Sequence, residues 1–185
     1  MSVVDLSNYK VTMVEKICLN KFQNDLMLEL SNFSRKAITY ITTTIKEDIA
    51  DLEREGIIFD NRLINIGCTM YLGIAWSMYR KGKKLGQEDE NIKTITKYNG
   101  KDNDVIQQYV ENSGYMDIIQ EIVLRYYTLY FSRHLEDIMS RMEITDHPFI
   151  NNKEELKNII LRHLSSYAVK VIIVGIKDKE NILKN

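Results

Sequence analysis

Apolar side chains recur every three to four residues along most of this chain, which is the spacing of amphipathic α-helices. Proline, which breaks helix interiors, occurs once, as Pro148. The pattern therefore predicts an all-α fold, a single domain over residues 1–185 that forms a globular bundle of five to seven helices. The expected helices cover about residues 11–30, 34–55, 62–81, 104–110, 115–142 and 152–176.

Short polar side chains and glycines mark the expected helix ends. Gly56 is expected to end the helix over 34–55. Gly82 and Gly86 are expected to end the strongly apolar helix over 62–81, which is the predicted central helix. Ser, Asp and Asn favour the N-cap because their oxygens accept from free backbone N–H groups. The candidate N-caps are Ser31 or Ser34, Asp60 or Asn61, and Asn151 or Asn152.

Two segments are harder to assign from the pattern. Residues 82–103 are polar and glycine-punctuated, so we expect a flexible loop with at most a short helix around 88–98. Residues 169–176 are rich in β-branched side chains, but a lone strand has nothing to pair with, so we expect helix there.

Composition narrows the function classes only slightly. The net charge of −1 gives no global attraction to nucleic acid or to anionic membranes, so such contacts need a local patch. Cys18 and Cys68 form neither a disulfide framework nor a zinc site, and buried thiols are expected. With no apolar stretch of about 18 residues and no secretion signal, the expected location is the cytoplasm of a cell or of a virus-infected host cell.

The strongest local signal is a basic cluster at the end of the central helix. Four cations within five positions can hold phosphates, while a neighbouring tyrosine stacks on bases. The alternative is that these cations only favour the helix C-terminus and its solvation. The candidate nucleic-acid-binding residues are Tyr79, Arg80, Lys81, Lys83 and Lys84.

An aromatic band supplies candidate partner-binding residues. Clustered tyrosines on one helix indicate core contact alone, or core contact on one side and a protein partner on the other. A partner subunit or a larger complex is therefore expected, and a homo-oligomer stays open. The candidates are Trp76, Tyr126, Tyr127 and Tyr130.

One pair of residues supplies the candidate catalytic residues. Arg141 and His147, with five residues between them, resemble the Arg-x(4–6)-His motif of HEPN-type ribonucleases, in which the histidine acts as general acid or base and the arginine stabilises phosphate. The three histidines are scattered and no phosphate-binding glycine loop occurs, so we expect no metal site and no cofactor. The chain is expected to be non-enzymatic, with a ribonuclease as the second alternative.

Two wider resemblances concern the order of elements. The chain is similar to the small helical subunit of type III CRISPR effector complexes, which implies a nucleic-acid-associated subunit. The segments that carry this similarity are Ser34–Ala37, Gly67–Lys81 and Arg162–Ala168. Residues 62–81 also resemble the central helix of viral Bcl-2-like proteins, which implies a groove for an amphipathic partner helix. The nucleic-acid-associated subunit is the leading expectation, and the groove-binding inhibitor is the alternative.

Overall fold

The computed structural model describes residues 6–24, 33–99, 102–144 and 152–178, and within these ranges the fold is all-α without strands. Eight α-helices are present in the described ranges, one more than the upper end of the expected range. They are α1 (Leu6–Asn24), α2 (Arg35–Arg54), α3 (Asn61–Glu88), α4 (Glu90–Asn99), α5 (Asn103–Glu111), α6 (Tyr115–Tyr130), α7 (Leu135–Ile144) and α8 (Lys153–Lys177), with a short 3₁₀ turn over Ser132–His134 before α7.

Three predicted N-caps are confirmed by their hydrogen bonds. Ser34 accepts from the backbone N–H of Ala37 at 3.1 Å, and Asp60 accepts from Leu63 at 2.8 Å. Asn152 caps α8 by accepting from the N–H of Glu155 at 2.8 Å. After α2, Gly56 has a φ of 99°, the left-handed conformation that glycine adopts without strain, so this predicted stop is also confirmed.

The centre of the bundle is the parallel pair α3 and α8, whose mutual packing is the most extensive in the fold. The Tyr167 hydroxyl donates to the Tyr71 carbonyl oxygen at 3.0 Å, and the two backbones approach closely at Gly82 and Gly175. α2 runs antiparallel to α8, because its first turn lies beside the last turn of α8 and Asp48, near its end, contacts His163. α6 runs antiparallel to α3, because Phe131 lies near Gly67 and Tyr115 lies near Lys81. The buried faces of α3 and α8 are the central core, as the apolar pattern of 62–81 predicted for α3.

The loop predicted at 82–103 is wrong over its described residues. α3 continues through Gly82 and Gly86 to Glu88, and α4 then occupies most of the remainder. These two glycines do not end the helix, because they lie where α3 touches α8: a Cβ on Gly82 would overlap the Ile172 carbonyl oxygen. The short helix expected around 88–98 corresponds to α4.

The long helix predicted over 115–142 is divided in two. α6 ends at Tyr130, the 3₁₀ turn follows, and α7 begins at Leu135. Phe131 and His134 are buried at this break, so the chain changes direction while keeping apolar contacts inside. Periodicity did not reveal the break because apolar side chains continue across it.

α8 is helical through Lys177, which confirms the helical interpretation of residues 169–176. Its 25 residues meet the length and composition of a membrane span, which corrects the expectation that no segment does. A buried core helix meets the same criteria, and the apolar side chains of α8 are largely buried within the bundle. Composition alone therefore does not assign α8 to a membrane.

Candidate functional site

The predicted basic cluster lies on the C-terminal half of α3, which is fixed against α8. Gly82 and Leu85 face the core, so the cations between and beside them project from the other side. At 100° per residue, Arg80, Lys81, Lys83 and Lys84 spread over an arc of about 160°. Because the segment is helical and not a loop, the cluster has a fixed surface arrangement.

Two of these cations rest on aromatic rings and have no carboxylate partner among the described residues. The Arg80 guanidinium lies 5.0 Å from the centroid of the Trp76 ring, and the Lys81 ammonium lies 6.0 Å from that of Tyr115. Such cation–π contacts orient the side chain without neutralising its charge. Arg80 is exposed and Lys81 is half-buried, so both charges reach the surface.

The other two cations have different surroundings. Lys83 lies 5.4 Å from the centroid of the Tyr79 ring. The exposed Lys84 is 4.0 Å from Glu88, one turn later on α3. An exposed pair of this length contributes about 0–1 kcal/mol, so an incoming phosphate can replace it.

Tyr79 does not belong to an exposed binding surface, and its predicted role in base stacking is wrong. Its side chain is 0% exposed and stacks on Phe33 with a ring-centroid distance of 4.6 Å. The hydroxyl donates to the Asp178 carboxylate, and burial followed by this hydrogen bond raises the pKa of Tyr79. Tyr79 is a core residue that joins α3 to the end of α8.

The predicted partner-binding aromatics divide between surface and core. Tyr127 is only 2% exposed, so it cannot reach a partner in this fold, and burial raises its pKa to about 12. Tyr126 and Tyr130 are half-buried with stacked rings, and the Tyr126 ring covers Gly73. Trp76 is half-buried, and its indole N–H is buried without an acceptor in the described part of the chain.

The ribonuclease-like pair is only half described. Arg141 is 2.6 Å from the Asp60 carboxylate, and this hydrogen bond is the first cause of the lowered pKa of Asp60. Arg141 thus supports the residue that caps α3. His147 and Pro148 lie outside the described residues.

A charge cluster that sequence reasoning missed joins α2 to α8. His163 Nδ1 is 3.1 Å from Asp48, and Nε2 is 2.9 Å from Glu55. Carboxylates only accept, so both ring nitrogens carry protons when both contacts are made, and the pKa of His163 is raised, first by the hydrogen bond to Asp48. The Tyr71 hydroxyl also donates to Asp48, and Arg162 lies 3.5 Å from Glu55.

The signal for that cluster was present but incomplete. Asp48 and Glu55, the C-cap residue of α2, are seven residues apart, so they lie on one side of the helix. Nothing in the sequence shows that α8 crosses α2 at His163. No group of three or more His, Cys, Asp or Glu side chains in the described ranges has the geometry to hold a metal ion.

The two cysteines, distant in sequence, meet in the core. Both are 0% exposed, as expected for buried thiols, and a hydrogen bond between them is the first cause of the raised pKa of Cys68. Cys68 therefore stays a thiol at neutral pH and does not supply a nucleophilic thiolate.

A cleft of about 590 Å³ is lined by residues of α2, α5 and α8 and by Asp178 after α8. It lies between the first turns of α2 and the last turn of α8, with Asn103 of α5 at its edge. No residue of α3 lines it, so it is not the groove around 62–81 that the Bcl-2-like resemblance implies.

No model of a known protein family, no curated protein and no solved structure matches this chain. The geometry of the described residues is therefore the basis for any functional assignment.

Proposed function

We propose that this protein is a non-enzymatic, nucleic-acid-associated helical subunit that contacts the phosphate backbone through the basic face of α3. This face consists of Arg80, Lys81, Lys83 and Lys84. The observation that carries the proposal is that Arg80 and Lys81 are held on aromatic rings without a carboxylate partner in the described part of the chain. Unneutralised, oriented cations are what phosphate contacts require.

The structural context supports backbone contact over base recognition. Tyr79 is buried, so the face offers cations and no stacking by that ring. The helix is anchored from behind by its glycine contact with α8, so ordering the cations on binding costs less than in a flexible loop. The ligand class is therefore single-stranded or double-stranded nucleic acid, recognised without strong sequence preference.

Fluorescence anisotropy with a labelled single-stranded RNA and a labelled duplex tests this proposal. Charge reversal in the double variant Arg80→Glu/Lys84→Glu is expected to weaken binding at least tenfold, because it removes two phosphate contacts and adds repulsion. The matched control is Arg125→Glu/Lys153→Glu, which reverses two exposed cations paired to Glu121 and Glu136 elsewhere. If both double variants bind like the unchanged protein, or if the protein binds neither probe, the proposal fails.

A protein partner is the second candidate, favoured by the exposed apolar side chains of α6. Ile118 and Leu129 are 37% and 55% exposed, and their spacing places them on one face beside the half-buried Tyr126 and Tyr130. This candidate predicts that sedimentation of the purified protein shows self-association that Leu129→Glu abolishes, or that a co-purifying partner is lost in that variant. A monomer that retains no partner in either form would contradict it.

A further inference from the structure

The cleft of about 590 Å³ between α2 and α8 has the size of a small-molecule site. Because the two helices are antiparallel, the N-terminal turns of α2 face the C-terminal turn of α8 across it. Ser34, Lys36 and Tyr40 line the cleft from α2, and Ile173 and Lys177 line it from α8. The cleft thus has two walls on rigid helices, which suits a ligand of defined shape.

Positive charge is concentrated at the α2 side of the cleft. Lys36 is exposed and has no ion pair within the described ranges. The backbone N–H groups of Arg35 and Lys36 are in the first turn of α2 and have no partner within the helix, so the positive end of its dipole faces the same space. Lys177 donates to Asn103 Oδ1 at 2.7 Å, which holds a second ammonium at the rim.

The acid in the lining is held by a hydrogen bond within the protein. Asp178 accepts from the buried hydroxyl of Tyr79, so part of its charge is compensated. Two lysines and a helix N-terminus therefore outweigh one carboxylate. The charge of the cleft favours an anionic ligand.

The remaining walls are apolar and aromatic. Ala37, Ile173 and Val174 form the apolar lining, and Ile173 is 5% exposed. Tyr40 is 41% exposed and adds an accessible ring at the edge. Apolar walls of this kind contact a flat ring system, while the lysines contact an acidic group.

We propose that this cleft binds a small organic anion that joins a planar apolar body to a sulfonate, phosphate or carboxylate group. The acidic group is contacted by Lys36, by the first-turn N–H groups of α2 and by Lys177. Tyr40, Ile173 and Val174 contact the planar body. None of the residues that line the cleft belongs to the basic face of α3, and the proposal does not rest on the nucleic-acid function.

A matched pair of fluorescent probes tests the proposal on the full chain without nucleic acid. Anilinonaphthalene sulfonate carries the planar body and the acidic group, and N-phenylnaphthylamine is the same body without the sulfonate. We expect one sulfonate probe to bind per chain, and the neutral probe to bind at least tenfold more weakly, because it lacks the charge-assisted contacts.

Two exposed substitutions report on the two halves of the site without disturbing the core. Lys36→Glu is expected to weaken sulfonate binding at least tenfold, and Tyr40→Ala about fivefold, from loss of ring contact. The control Tyr98→Ala removes a 73% exposed ring elsewhere and is expected to leave binding unchanged. Circular dichroism establishes that each variant remains folded.

Three results would overturn the proposal. They are no saturable binding of the sulfonate probe at millimolar concentration, equal affinity for the neutral probe, and an unchanged affinity in Lys36→Glu. Displacement of the bound probe by aromatic phosphates or carboxylates then identifies the preferred acidic group.

Discussion

Replacing Gly82 with alanine is expected to destabilise the fold by separating α3 from α8. A Cβ at this position would overlap the Ile172 carbonyl oxygen and lie 3.0 Å from the Cα of Gly175. Both neighbours are backbone atoms of a buried helix, so no side chain can rotate away. The two central helices must instead move apart, and the core between them loses contacts.

Two opposing effects determine the change in unfolding free energy of Gly82→Ala. In an exposed helix, glycine to alanine stabilises by about 1 kcal/mol through helix propensity. Overpacking a buried site costs about 1–3 kcal/mol and occasionally more, and a backbone clash belongs to the upper part of that range. The expected net loss of unfolding free energy is therefore about 2 kcal/mol, which corresponds to a fall in Tm of about 4–8 °C for a chain of this size.

Urea denaturation followed by far-UV circular dichroism measures the effect. Gly114→Ala is the matched control, because a Cβ there meets nothing within 4 Å and its φ of −63° suits alanine. We expect the control to be neutral or stabilised by about 0.5–1 kcal/mol. If Gly82→Ala is as stable as the control, the close crossing of α3 and α8 is wrong.

Three further predictions concern polar contacts. Tyr79→Phe removes the hydrogen bond to Asp178 and is expected to cost about 1 kcal/mol in urea denaturation, while RNA affinity in anisotropy stays unchanged; a loss of RNA affinity in the folded variant would restore Tyr79 to the interface. Asp60→Ala removes the N-cap of α3 and is expected to lower the unfolding free energy by about 1–2 kcal/mol, whereas an unchanged urea midpoint would contradict the cap. His163 has a folded pKa above its ordinary value of 6.5, so its stabilising contribution is complete below about pH 6.5 and is lost as pH rises through the folded pKa. The difference in unfolding free energy between the protein and His163→Gln is therefore expected to shrink with rising pH. Asp48→Asn is expected to lower the His163 pKa in an NMR titration.

The sequence predicted features that depend on local chemistry. The caps at Ser34, Asp60 and Asn152 need only a short polar side chain and the N–H groups one turn later. The helix stop at Gly56 depends only on the positive φ that glycine adopts without strain. The apolar stripe of 62–81 predicted a central helix because periodicity reports directly which face is buried.

The errors arose where tertiary contact decides the role of a residue. Gly82 resembles a helix stop in isolation, but it is required inside a helix because Gly175 lies against it, and Gly175 is 93 positions away in the chain. Tyr79 resembles an exposed ring beside lysines, but the crossing places it under Phe33 and Asp178. No local pattern carries that information.

The candidate sites show the same division. The sequence identifies Arg80 and Lys84 as cations, and the helical geometry of α3 shows that they lie on the same surface. The cluster at His163 and the cleft at Lys36 each combine residues from α2 and α8, so their composition depends on how these helices cross. Sequence patterns predict the individual helices, whereas a site formed by two helices can be identified only once their packing is known.

The salt dependence of RNA binding tests the phosphate-contact function most directly. Neutralising Arg80 and Lys84 to glutamine leaves the core untouched, because Arg80 and Lys84 are exposed on α3. If each contacts a phosphate of a single strand, the slope of log K against log salt falls by about 0.7 for each residue, or about 1.4 in the double variant. If the folded Arg80→Gln/Lys84→Gln variant keeps the slope of the unchanged protein and binds RNA with the same affinity as the control Arg125→Gln/Lys153→Gln, then Arg80 and Lys84 do not contact phosphates.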